Sequence, residues 1–118
     1  MKTDIYEILH NNHTISFAYL FGSYADGTDR QESDVDIAVY MSDTSLDNRL
    51  SLHHELEKSL KKNVDLVVLN DIKNIYLLDA ILRKGIVVKD NEQRDIFEVQ
   101  KNHEIIDFKN FRRYIDAA

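Results

Sequence analysis

Gly22 to Asp36 reads GSYADGTDRQESDVD, and it holds the residue types that metal-assisted phosphate chemistry needs. Gly22 and Ser23 form a small-residue pair. Ten residues separate Ser23 from Asp34, and Asp36 follows two positions later. Glycine lets backbone approach a phosphate closely. A helical turn opening at Ser23 would aim free N–H groups and a hydroxyl at an anion. Two acids two positions apart on a strand share one face. They repel unless a cation sits between them, and hard oxygen ligands suit Mg²⁺.

A bare D-x-D is more often an acidic strand start facing solvent. Asp65 weighs against that reading. It heads the otherwise apolar NVDLVVL, Asn63 to Leu69. An acid there is costly if it becomes buried. It is explicable if this strand lies beside the one bearing Asp34 and Asp36. Three convergent carboxylates can hold two metal ions. The composite of Gly-Ser, ten residues and D-x-D arises by chance on the order of once in a thousand chains of this size.

These residues need elements to position them. Ile15 to Phe21 is rich in β-branched and aromatic residues and is predicted as a strand. Gly22 to Ser33 is a loop with one helical turn after Ser23. Asp34 to Tyr40 is the second strand, with Val35, Ile37 and Val39 facing the core. Asn63 to Leu69 is the third. Helices are predicted over Asp4 to His10, with Thr3 as N-cap, and over Leu46 to Leu60. Ile75, Leu78 and Leu82 mark another, stopped by Gly85 as a C-cap. Ile86 to Val88 is a short edge strand. From about Glu92 the chain is helical, with Phe97, Ile105, Phe108, Phe111 and Ile115 near one face. The fold class is α/β (α+β): a small mixed sheet flanked by helices.

Composition narrows the function. The 118 residues suit one domain, residues 1–118, with a modest core. There is no cysteine, which removes disulfides, zinc-thiolate sites and thiol catalysis. The net charge is −6, and no basic face is visible beyond the isolated pairs Lys61-Lys62 and Arg112-Arg113. Binding to duplex nucleic acid is therefore not expected. No apolar run approaches a membrane span, and the N-terminus lacks a signal-like stretch, so a cytoplasmic location is expected. His10 and His13 could share a helix face but lack further ligands. His53 and His54 diverge by about 100° on a helix and read as surface or edge residues. The last helix offers either a partner-binding face or ordinary core packing.

The stretch GSYADGTDRQESDVDIAVY resembles the signature of the DNA polymerase β-like nucleotidyltransferases. NVDLVVLND, LLDAILRKGIVVKDNEQRDIFE and IIDFKNFRRY extend the likeness over nearly the whole chain. Within the superfamily it is most similar to the minimal nucleotidyltransferases (MNT), antitoxin partners of HEPN-domain RNase toxins. The resemblance implies a polymerase β-like fold. It implies that Gly22 and Ser23 hold the triphosphate of ATP and that Asp34 and Asp36 bind the catalytic Mg²⁺ ions. Asp65 would bind the second ion and help deprotonate the attacking hydroxyl. The implied activity is transfer of AMP to a tyrosine of the cognate toxin. Asp26 departs from the pattern, since its position is often basic in the family. Two alternatives stand beside this reading: an antitoxin that neutralises by contact alone, and an adenylyltransferase acting on a small molecule.

Overall fold

The computed structural model describes residues 1–117. Its elements are α1 (Lys2–Asn11), β1 (Ile15–Phe21), α2 (Ser23–Asp26), β2 (Val35–Met41), α3 (Leu46–Leu60), β3 (Val64–Val68), a 3-10 turn (Leu69–Asp71), α4 (Ile75–Lys84), β4 (Ile86–Lys89) and α5 (Glu92–Ala117). The sheet order is β3-β2-β1-β4. β1 pairs antiparallel with β2 and β4, and β2 pairs parallel with β3.

Helices cover both faces of the sheet, which explains why β1 is apolar almost throughout. On one face Ile5 and Leu9 of α1 and Leu52 and Leu56 of α3 pack on Ile37 and Val39. On the other, Leu78 and Ile81 of α4 and Phe97 and Ile105 of α5 pack on Phe17, Tyr19 and Ala38. Strand alternation would put Ile15 and Phe17 on one face. A register shift between them sends Ile15 to the first core and Phe17 to the second. Phe17 stacks on Tyr40 at 5.0 Å, and Phe97 closes against both rings.

The Tyr19 hydroxyl donates to Glu98 Oε1, and Arg94 donates to the same oxygen at 2.9 Å. Burial first, then the Glu98 carboxylate, push the Tyr19 phenol well above its ordinary value. Tyr19→Phe is expected to cost about 1 kcal/mol, because Glu98 keeps Arg94 as a partner. Urea unfolding checks this as a lower midpoint with an unchanged slope.

Sequence expectation and structure differ at several places. α1 begins at Lys2 with Met1 as N-cap and without a side-chain cap, so Thr3 lies inside the helix. β2 begins at Val35, which leaves Asp34 in the loop. β3 ends at Val68, because Asn70 bonds both backbone groups of Met41 (2.9 and 2.7 Å) and turns the chain. In α5, Phe97 and Ile105 are buried, but Phe111 and Ile115 are exposed. A helix of 26 residues is roughly 39 Å long. Among the described residues, its last turns from Phe111 to Asp116 are exposed. Among the described residues no helix is long and apolar enough to cross a membrane.

Candidate active site

The end of β1 and the starts of β2 and β3 lie at one end of the sheet. Phe21 is the register partner of Asp36, and Asp36 is the register partner of Asp65. Val35 and Val64 are buried in the α1/α3 core, so strand alternation puts Asp36 and Asp65 on the opposite face. There Asp36 is half-buried and Asp65 exposed.

Gly22 joins β1 to α2 with φ +74° and ψ −151°. A Cβ at this position would fall onto the Asp36 carboxylate. Only glycine lets the turn and that carboxylate share the space. α2 follows at once, with Ala25 and Asp26 donating to the Gly22 carbonyl at 3.1 and 3.2 Å. The helical turn expected after Ser23 is therefore present. Gly22, Ser23, Asp36 and Asp65 form one cluster, and Asp34 stands at its loop edge.

Burial first, then the charges of Asp65 and Asp34, hold the Asp36 carboxyl above its ordinary range. Asp65 and Asp34 thus both act electrostatically on Asp36. They are not already closed into a metal-binding set. Among the described residues no three His, Asp or Glu side chains converge on one point. Like charges keep such a set open until a cation offsets them. The donors are carboxylate oxygens, the ligand type Mg²⁺ prefers.

Asp26 has a local role. Its Oδ1 accepts the Thr28 hydroxyl and the Thr28 N–H, the latter at 3.0 Å. These bonds first, and the Lys84 charge in addition, hold Asp26 below the usual carboxylate range. The acid closes the turn that ends α2. Sequence reasoning also passed over Lys62, noted only as part of an isolated basic pair. Its Nζ donates to the Gln31 carbonyl at 2.9 Å and lies 5.9 Å over the Tyr24 ring. It ties the start of β3 to the loop and to α2. No local motif marks this contact, because it spans 31 residues. His53, half-exposed on α3, meets the Val64 carbonyl through Nε2 at 2.7 Å, and Glu57 accepts the Val64 N–H at 2.9 Å. Together they cap the open edge of β3.

Residues 3–94 match the family described as Polymerase beta, Nucleotidyltransferase. The chain is 33% identical over 116 residues to the protein adenylyltransferase MntA of Shewanella oneidensis, covering 96% of this chain and 76% of that protein. It is similar to a chain in the crystal structure of a toxin-antitoxin with AMP-PNP, at 29% identity and a TM-score of 0.83, over 98% of this chain and 95% of that one. It is also similar to a chain in a structure of a tri-AMPylated Shewanella oneidensis HEPN toxin in complex with an MNT antitoxin. That match has 28% identity and a TM-score of 0.75, over 98% of this chain and 92% of that one.

Proposed function

Because this chain belongs to the polymerase beta nucleotidyltransferase family, we propose that it is a Mg²⁺-dependent protein adenylyltransferase and the antitoxin of a HEPN-domain toxin. It moves AMP from ATP to a tyrosine hydroxyl of that toxin in the cytoplasm. The observation that carries this is the pairing of Asp36 with Asp65 directly against Gly22, in a chain that aligns with MntA over 96% of its length.

Each residue of the cluster has a part. Gly22 and Ser23 hold the triphosphate through backbone N–H groups and the serine hydroxyl. Asp34, Asp36 and Asp65 are the residues that would hold Mg²⁺, and their all-carboxylate chemistry fits it. When bound, Mg²⁺ offsets the charge of the triphosphate and of the attacking oxygen. A tyrosine hydroxyl has a reference pKa of about 10 and is a weak nucleophile at neutral pH. Asp65 is exposed and accessible to a protein acceptor, and it accepts the proton. The tyrosine oxygen bonds to the α-phosphorus as the bond from that phosphorus to the bridging oxygen breaks. Pyrophosphate leaves with the electron pair. The remaining contribution is alignment, supplied by a rigid sheet end that fixes Asp36 against Gly22.

The test is mass spectrometry of the cognate toxin after incubation with this chain, ATP and Mg²⁺. The expected result is a gain of one or more AMP units on tyrosine, and chelation of the metal should abolish it. An unmodified toxin in the presence of competent nucleotide binding would overturn the reading.

A further inference from the structure

A second charged group stands at the phosphate turn. A cavity of about 160 Å³ opens beside Gly22, lined by Phe21, Gly22, Ala25, Asp26, Ala80 and Lys84. The recess is small, on the scale of a phosphate group rather than of a whole nucleotide. The alanines leave the space, and Lys84 is its one cationic lining residue.

The topology explains why Lys84 is there. β4 pairs antiparallel with β1, with Ile86 opposite Leu20. Continuing that register by two residues brings Lys84 level with Gly22. A lysine in the last turn of a helix commonly does no more than offset the helix dipole. Arg83, in the same turn, already does this and pairs with Asp79 at 3.1 Å. Among the described residues Lys84 has no ion pair within 4.0 Å. Asp26 across the cavity is bonded instead to Thr28. The lysine is exposed and its donors are uncommitted. In a chain of net charge −6 that gathers acids at one sheet end, an unpaired cation beside Gly22 favours a polyanion at that point.

We infer that Lys84 is a triphosphate-binding residue, placing its ammonium on the β- or γ-phosphate at Gly22. This rests on the nucleotidyltransferase reading and extends it to α4, which lies outside the Gly22 to Asp36 motif. Asp26 works against the same phosphates, so the pair Asp26 and Lys84 sets the affinity for the nucleotide.

Calorimetric titration of the full chain with AMP-PNP and Mg²⁺, and separately with AMP, tests this without any acceptor protein. Lys84→Met should weaken AMP-PNP binding roughly tenfold and leave AMP binding unchanged, since AMP lacks the outer phosphates. Lys84→Arg should retain most of the affinity. The double variant Asp26→Lys with Lys84→Met should regain it, because the cation returns to the other wall of the same cavity. Equal AMP-PNP affinity in wild type and Lys84→Met would overturn the inference while leaving the proposed function standing. An equal loss of AMP and AMP-PNP binding would overturn it too, since that pattern reports a damaged fold. Failure of the wild-type protein to bind AMP-PNP would remove both readings.

Discussion

Asp36→Asn is expected to lower AMP transfer at least about a thousandfold while leaving the protein as stable as wild type, or more so, at neutral pH. The two halves have one cause. Asp36 lies against the Gly22 turn and is the register partner of Asp65 across the β2–β3 pair, so it stands at the centre of the proposed site. Its folded-state pKa is raised, by burial first and then by Asp65 and Asp34. A group with a raised folded pKa supports the fold below its unfolded pKa. That support is lost as pH rises through the folded pKa. Ionisation of Asp36 as pH rises is therefore unfavourable to the fold, and the amide removes that penalty. Initial rates and thermal unfolding at acidic and neutral pH check both halves. The stability advantage of the variant should grow as pH rises. The same variant separates chemistry from contact. Full neutralisation of the toxin by Asp36→Asn at native expression would favour an antitoxin that works by binding alone.

Gly22→Ala carries the second large effect. At φ +74° an L-residue is strained, and strain of this kind costs about 1–3 kcal/mol. Here the added methyl also meets the Asp36 carboxylate. Either the turn or Asp36 must move, and a displacement of about 1 Å at a reacting centre can cost on the order of a hundredfold in rate. The expected variant is less stable by about 2 kcal/mol and at least about a hundredfold slower. Denaturant unfolding and transfer rates measured on the same preparation check this. A variant within threefold of the wild-type rate would show that the turn and Asp36 do not work as a unit.

Local sequence made much of this fold legible. The strand Ile15–Phe21 and the helix Leu46–Leu60 have the residue bounds that their apolar patterns predict. Glycine, serine and two acids at a fixed spacing lie on one strand–turn–strand unit, so the approach of Asp36 to Gly22 follows from chain geometry. Asp65 was legible for another reason. An acid at the head of an apolar strand calls for a partner, and parallel pairing with β2 supplied it in register. What the sequence hid depends on distance along the chain. Lys84 reaches Gly22 only through the β1–β4 pairing, and Lys62 reaches the loop only through the turn between α3 and β3. Phe111 and Ile115 fit the apolar period of α5 but lie beyond the surface that the period was expected to cover. Periodicity tells which way a side chain faces and is silent on where the neighbouring layer ends.

The most direct test of the central claim follows the label in ATP. Purified cognate toxin is incubated with this chain, Mg²⁺ and ATP labelled at either the α- or the γ-phosphate, beside the Asp36→Asn control. Covalent label from α-labelled ATP alone, absent with Asp36→Asn, is the predicted result. Label from γ-labelled ATP, or α-label that persists in the Asp36→Asn variant, would contradict AMP transfer by this site.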